Sequence, residues 1–306
     1  MADGSQSRSM EAERAAADAA REAKAEVIER SSKASSKTAT TAKGSASAKP
    51  GKAPKKDGYK TFLVDVWITD LNVVEFGIYR HSRNRAKSRQ FTQDMDIFAE
   101  VVEDGEQTGL IGYRKELWKD GAGTDKRLVL KLFNETLNWR ATMDLMLARS
   151  LQQTLGARGI PVMSYTINTN SQDFVVYVER SANKWPLMPE NFSFFMLDGK
   201  EPKFYRLRRA FINLGGDYTL YDQKNDVIGW LDGSFFSFGK WRGYVREDHA
   251  DPRLMMVLQL FAGMLPFNRS CRRHIKHLAQ DVAAGRIKPE LERQESDLYM
   301  NPRRVR

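Results

Sequence analysis

A short pattern occurs twice in this 306-residue chain, 24 positions apart, and it limits what the chain can fold into. The first copy is Phe-Ile-Asn-Leu-Gly at 211–215, and the second is Phe-Phe-Ser-Phe-Gly at 235–239. Between them, apolar stretches at 218–222 and 227–233 flank a polar turn, which predicts a unit of strand, turn and strand. One such unit cannot bury its apolar side alone. The repeat therefore predicts an antiparallel sheet that stacks or closes on itself.

The repeat resembles that of the LURP-one-related and tubby C-terminal-like family, which includes the phospholipid scramblases. The resemblance rests on the motifs at 211–215, 218–222 (Tyr-Thr-Leu-Tyr-Asp) and 227–233 (Val-Ile-Gly-Trp-Leu-Asp-Gly), and it covers about residues 203–266. Earlier repeats are not recognisable at 60–180, and a twisted antiparallel meander of another family would share part of the pattern. The resemblance implies a closed barrel or half-barrel around a hydrophobic C-terminal helix. It also implies a scaffold associated with phospholipids and phosphoinositides rather than a catalytic centre.

An almost wholly apolar run at 254–265 predicts a helix that must be buried on every side. The run is too short to span a bilayer, for which about 20 residues are needed. Asp251 followed by Pro252 is typical of an N-cap and a first helical position, and Pro266 is expected to end the run. The barrel that the resemblance implies would enclose this helix. A core helix of another α+β fold and a membrane anchor remain alternatives.

The predicted fold class is α+β and rich in β structure. Strands are predicted at 62–68, 73–79, 97–102, 110–118, 127–133, 162–169 and 174–179. A helix is predicted at 138–155, where Met143, Met146, Leu147 and Leu151 recur at helical spacing.

The sequence divides into four segments by composition. They are a disordered basic tail at 1–58, a smaller α+β unit at 59–180, the tubby-like β region with its buried helix at 190–268, and a basic helix with a loose tail at 269–306. One continuous domain is the alternative to the two middle segments, because the connector between them is short.

The net charge of +10 lies at the ends of the chain. Residues 33–56 contain seven lysines and no acidic residue, whereas residues 57–268 are balanced at 27 basic and 27 acidic groups. Terminal basic segments attract any polyanion, so they do not distinguish a phospholipid surface from a nucleic acid. A dedicated nucleic-acid-binding domain more often carries basic charge on its folded body. The single cysteine and the absence of a signal-peptide pattern favour a cytoplasmic protein, with peripheral membrane association as an option.

Candidate ligand-binding residues are basic side chains able to hold a phosphate. In the strand at 204–209, Tyr205 and Leu207 share one face, while Arg206 and Arg208 share the other. A guanidinium binds phosphate through two parallel hydrogen bonds, although a solvated barrel surface would show the same alternation. A loop without acidic residues adds Arg80, Arg83, Arg85, Lys87 and Arg89. The tail adds an electrostatic set made of Lys49, Lys52, Lys55 and Lys56.

Patterns typical of enzymes are missing from the sequence. Neither a glycine-rich phosphate loop nor a G-x-S-x-G elbow is present. Cys271, His274 and His277 have spacing that allows a metal pair, but a fourth ligand is not evident and the basic neighbours oppose a cation. We therefore predict no metal, cofactor or catalytic residue.

The predicted function is that of a non-enzymatic protein that binds phospholipid headgroups or an anionic membrane surface. The alternative is a nucleic-acid-associated or structural assembly protein that uses the lysine tail and the Arg80–Arg89 loop. Protein partners are compatible with both, and the oligomeric state is not predicted.

Overall fold

Twelve antiparallel strands in the described part of the chain close into one barrel. The structure, a computed structural model, describes residues 58–66, 91, 95–171, 175–182, 189–198, 200–209, 217–233 and 239–288. The strands are β1 (Tyr59–Val66), β2 (Met95–Glu103), β3 (Glu106–Arg114), β4 (Val129–Asn134), β5 (Trp139–Leu145), β6 (Ser164–Thr169), β7 (Val176–Arg180), β8 (Asn191–Asp198), β9 (Glu201–Arg209), β10 (Tyr218–Tyr221), β11 (Val227–Gly233) and β12 (Lys240–Arg246). Each strand pairs with the next, and β12 pairs with β1.

Three α-helices accompany the barrel in the described residues: α1 (Lys115–Trp118), α2 (Leu147–Gly156) and α3 (Pro252–Ala283). Short 3₁₀ turns lie at Gly123–Asp125 and Glu247–His249. Asp251 caps α3, because its side chain accepts a hydrogen bond of 2.8 Å from the backbone N–H of Arg253. The predicted start of this helix, with a proline at its first position, is therefore confirmed.

The apolar part of α3 lies inside the barrel. Every residue from 254 to 264 is buried, which covers all sides of three helical turns. The ring of Phe261 contacts Phe192 on β8 and Tyr218 on β10, with centroids 4.9 and 5.4 Å apart. Gly263 lies against a different part of the inner barrel wall, where its nearest side chain is Ile111 of β3. The prediction of an antiparallel barrel around an apolar C-terminal helix is confirmed at this level.

Pro266 follows the apolar run as expected, but the helix continues through it into the basic segment. Proline removes one backbone hydrogen bond and crowds the preceding turn, yet α3 continues to Ala283. Beyond the proline, Phe267 packs edge-on against Phe98 at 5.2 Å, and Cys271 is fully buried. These contacts hold the helix together across the proline, whose own side chain points to solvent.

The helix predicted at 138–155 is wrong in its first half. Residues Trp139–Leu145 form β5, and only Leu147–Gly156 form α2. Ala141, Met143 and Leu145 are alternate residues of the strand and point into the barrel interior. The apolar residues of this segment therefore fit a strand period of two as well as the helical spacing. The end of the strand predicted at 110–118 likewise turns into α1.

Both middle segments of the sequence contribute to the same barrel. Strands β1–β7 come from 59–180 and β8–β12 from 190–246, and the two sets join where β7 pairs with β8 and β1 with β12. Strands from both segments therefore pair in one closed ring, and the division into domains stays a prediction. The predicted strand at 73–79, the motifs at 211–215 and 235–238, the basic loop and the tail lie outside the described residues.

Replacing Leu258, which is buried at the middle of the enclosed helix, with Asp should prevent cooperative folding. An unpaired charge in an apolar interior is among the costliest single changes a domain can suffer. Thermal unfolding followed by circular dichroism checks this, with exposed Gln280→Asp on the same helix as the control. A Leu258→Asp variant that melts within a few degrees of wild type would show that the helix is not enclosed.

Deleting residues 1–56 should leave the melting temperature nearly unchanged. The first described strand begins at Tyr59, so the deletion removes none of the strands that close the ring. The deleted segment is also poor in large apolar side chains. Differential scanning fluorimetry on both forms measures the effect, and a drop of many degrees would mean that the segment packs on the barrel.

Candidate functional site

The outer face of β8, β9 and β10 carries the sequence-predicted arginines. Along β9, Tyr205 and Leu207 point into the core, while Phe204, Arg206 and Arg208 point outward. The orientation of the two arginines agrees with the prediction from alternation. Arg206 lies opposite Ser193 on β8 and Tyr221 on β10, and Arg208 lies opposite Asn191 and Thr219. The barrel wall therefore holds both guanidiniums on one rigid surface.

Two phenylalanine rings stand beside these arginines and face solvent. Phe195 and Phe204 are directly opposite each other on β8 and β9, and their ring centroids are 5.7 Å apart. Phe195 is 38% exposed and Phe204 is 53% exposed. Scattered apolar residues on a surface are ordinary, but an adjacent aromatic pair flanked by cations is typical of a binding surface.

A groove of about 360 Å³ runs over this face. It opens where the ladder between β7 and β8 ends: Arg180 pairs with Phe192 and Glu179 with Ser193, and no further pair joins the two strands within the described ranges. The strands separate beyond that point, which creates the space. The groove is lined mainly by the aromatic and charged residues Arg149, Tyr177, Glu179, Phe195, Phe204 and Arg206.

Arg206 is held in a defined position at one end of the groove. Its guanidinium lies over the ring of Tyr221, 5.2 Å from the centroid, and its Nη2 donates a 2.7 Å hydrogen bond to Oδ1 of Asn225. Asn225 belongs to the β10–β11 turn, where it adopts a positive φ of 66°, a conformation that asparagine tolerates. The turn is fixed by Asp222, whose Oδ1 accepts the backbone N–H groups of Lys224 and Asp226.

A second arginine and tyrosine pair lies at the opposite end of the groove. Arg149 of α2 lies 5.3 Å from the centroid of Tyr177 and forms an ion pair of 2.5 Å with Glu179. The exposed phenylalanine pair therefore lies between two guanidiniums, each placed over a tyrosine ring. The Glu179 carboxylate compensates the charge of Arg149, and the Asp222 carboxylate also lines the groove. Arg206 and Arg208 together therefore leave a modest net positive charge on this face.

Arg208 is the more available of the two predicted arginines. It is exposed, and within the described part of the chain its side chain forms no hydrogen bond or ion pair. A free guanidinium next to a positioned one is suited to a phosphate, because the pair offers parallel N–H donors.

Sequence reasoning placed Arg206 and Arg208 on the outer face but missed the residues that line the groove beside Arg206. Four different elements contribute Arg149, Tyr177, Phe195 and Phe204, and strand register together with the position of α2 brings them together. The alternation around Ser193 and Phe195 was a usable signal that Phe195 points outward. The loop residues Arg80, Arg83, Arg85, Lys87 and Arg89 and the tail residues Lys49, Lys52, Lys55 and Lys56 lie outside the described residues.

The cysteine and histidine cluster serves the structure of α3. Cys271 is fully buried, and burial raises the pKa of its thiol to about 12. The Nε2 of His274 lies 2.9 Å from the carbonyl oxygen of Lys126, and burial lowers the pKa of this histidine. Within the described ranges, no group of three or more His, Cys, Asp or Glu residues is arranged to hold a metal ion.

Comparisons of the chain with family models, curated proteins and solved structures give no match. Among the described helices, none combines the length and apolarity that crossing a membrane demands.

Adjacent phenylalanines on β8 should respond oppositely to substitution by serine. Phe194 is buried in the core and stacks on Tyr205, so Phe194→Ser should destabilise the barrel by about 3–5 kcal/mol. Phe195 loses only its cross-strand contact, and Phe195→Ser should cost about 1 kcal/mol or less. Urea unfolding of both variants measures the difference. Similar losses would mean that the exposed ring is a structural element rather than a free surface.

Proposed function

We propose that this protein binds anionic phospholipid surfaces, without catalysing a reaction, through the outer face of β8 and β9. The observation that carries the proposal is the exposed Phe195–Phe204 pair next to the outward-facing Arg206 and Arg208. Aromatic rings favour the boundary between headgroups and acyl chains, and guanidiniums bind the headgroup phosphates just above it. Both kinds of group lie on one wall of a rigid barrel.

Apolar and electrostatic contributions act together in this arrangement. Inserting two phenylalanine rings removes apolar area from water at about 25 cal/mol per Å². Each basic residue near an anionic leaflet adds roughly 1 kcal/mol. The lysine-rich segment at 33–56, with Lys49, Lys52, Lys55 and Lys56, increases the attraction to the membrane without setting the headgroup preference. The proposed location is therefore the cytoplasmic surface of a membrane, held peripherally.

The barrel with an enclosed helix supports a tubby-like, LURP-one-related scaffold of the kind that the sequence motifs resemble. That scaffold implies a phospholipid or phosphoinositide ligand, and we extend both the assignment and the ligand class to this chain as a proposal. Protein partners and a scramblase-like association with lipids belong to the same proposal.

Nucleic-acid binding is the competing function, because exposed aromatic rings beside arginines also stack and hold single-stranded bases. The same groove would then contact a phosphodiester backbone, and the basic tail would add to it. The two functions differ in what the phenylalanines do, since bilayer insertion needs apolar volume whereas base stacking needs a flat ring.

Co-sedimentation with vesicles tests the proposal. Wild type should bind phosphatidylcholine vesicles that contain phosphatidylserine or a phosphoinositide, and it should bind pure phosphatidylcholine weakly. Arg206→Ala with Arg208→Ala should reduce binding severalfold or more, and so should Phe195→Ser with Phe204→Ser. Replacing each phenylalanine by leucine should largely preserve binding to vesicles. Binding should also weaken as salt rises, because charges are screened over about 8 Å at physiological ionic strength.

The matched control removes two exposed charges elsewhere, with Arg273→Ala and Lys276→Ala on α3. If the control variant lost as much vesicle binding as the Arg206 and Arg208 variant, binding would depend on net charge alone. That result would contradict binding through one specific face of the barrel. The competing function would be established by three results together. Wild type would bind single-stranded RNA or DNA, the leucine variants would lose that binding, and wild type would show no preference for anionic vesicles.

A further inference from the structure

A buried carboxylate lies at the end of the barrel where α3 emerges. Glu190, which precedes β8, is only 6% exposed, and its ion pair with Arg180 is equally buried. The Nε of Arg180 donates to Oε1 of Glu190, and Tyr218 of β10 donates to Oε2 at 2.9 Å. The amide nitrogen of Asn268 on α3 lies 3.2 and 3.1 Å from the two oxygens. One carboxylate thus ties the barrel wall to the helix.

These donors leave the Glu190 carboxylate without free acceptor capacity. A carboxylate offers about four acceptor positions, and the three donor residues above occupy both oxygens. Burial alone would raise the pKa of Glu190, but the Arg180 guanidinium and the other donors hold this pKa below its usual value. The carboxylate therefore stays ionised and fully used at neutral pH.

Two further arginines approach this cluster without a carboxylate of their own. Arg272 lies one helical turn beyond Asn268 on α3, and Arg209 ends β9, directly opposite Tyr218. The Nε atom of Arg272 is buried and has no hydrogen-bond partner. Among the described residues, the side chain of Arg209 likewise forms no hydrogen bond or ion pair.

The charge at this end of the barrel is unbalanced. Arg180 and Arg209 both interact electrostatically with Arg272, and all three arginines interact with Tyr218. Within the described part of the chain, Glu190 is the acidic group that interacts with Arg272. Burial, together with the nearby Arg180, lowers the pKa of Arg272. Arg272 is half-buried, whereas Arg209 is exposed. A half-buried cation with an unused donor is costly unless an anion accompanies it.

We propose that the barrel mouth between Arg209 and Arg272 binds a phosphate group. Two guanidiniums provide parallel N–H donors for its oxygens. A dianionic phosphate would also neutralise the excess charge left after Glu190 is paired. The phosphate belongs either to a small soluble phosphate compound or to a lipid headgroup.

This site is separate from the outer face of β8 and β9. Arg209 continues the inward-facing row of Tyr205 and Leu207, whereas Arg206 and Arg208 lie on the opposite side of the strand. Loss of binding at one site therefore does not imply loss at the other, and failure of the phosphate site leaves the proposed outer-face function untouched.

Isothermal titration of the full chain with inorganic phosphate, at ionic strength matched with chloride, tests the site. Wild type should bind phosphate, and Arg272→Gln should raise the dissociation constant roughly tenfold or more, the usual effect of losing a hydrogen bond to a charged group. Arg209→Gln should weaken binding as well. The matched control, Arg273→Gln at the neighbouring exposed position of α3, should bind like wild type.

A second arm identifies the source of the phosphate. Vesicles of phosphatidylcholine with phosphatidic acid are titrated with wild type, Arg272→Gln and the double variant Arg206→Ala with Arg208→Ala. Vesicle binding that drops in Arg272→Gln assigns the site to a lipid headgroup. If Arg272→Gln weakens binding of inorganic phosphate but leaves vesicle binding unchanged, the site belongs to a soluble phosphate.

Protein stability provides a readout that does not depend on the ligand. Arg272→Gln removes an unpaired guanidinium, so in phosphate-free buffer it should melt at or above the wild-type temperature. Adding phosphate should raise the melting temperature of wild type but not that of Arg272→Gln. The proposal is overturned if Arg272→Gln retains wild-type binding in both arms, or if wild type binds neither phosphate nor the phosphatidic acid vesicles.

Discussion

The structure depends on one constraint, which is that the helix at 254–264 is apolar on every side and must be covered on every side. An ordinary amphipathic helix buries one apolar face against a single packing surface, but this helix needs apolar partners on all of its sides. A closed ring of strands satisfies that need, and closure requires β1 to pair with β12 although almost 180 residues separate them in the chain. Closure also leaves no open sheet edge at this seam.

Because the helix fills the barrel interior, we propose that ligands bind outside it. The exception in the enclosed stretch is Gln259, and its amide nitrogen donates to Glu103 at 2.6 Å. Ligands are therefore expected on the outer wall and at the mouth, where arginines concentrate. The wall offers exposed rings with Arg206 and Arg208, and the mouth offers Arg209 and Arg272. Strand alternation along β9 places Arg206 and Arg208 on one side of the strand and Arg209 on the other.

The sequence predicted what local pattern controls and missed what register and long-range packing control. The apolar run at 254–265 and the orientation of Arg206 followed from periodicity alone. The sequence of β5 predicts a helix because Met143 and its neighbours fit both the helical and the strand period. The pairing of Phe195 with Phe204 depends on which residues face each other across two strands, which a single strand does not reveal. The Asn268–Glu190 contact joins residues 78 apart, beyond the reach of any local pattern.

The most direct measurement places a reporter on the surface that we propose meets the membrane. Cys271 is the chain's one cysteine, and its buried thiol stays unreactive, so Phe204→Cys can be labelled selectively with an environment-sensitive fluorophore. A label at the exposed Lys119→Cys position serves as the reference. We expect a blue shift at position 204 on adding anionic vesicles, none with neutral vesicles, and little change at position 119. An unchanged spectrum at 204, or a larger shift at 119, would contradict this expectation.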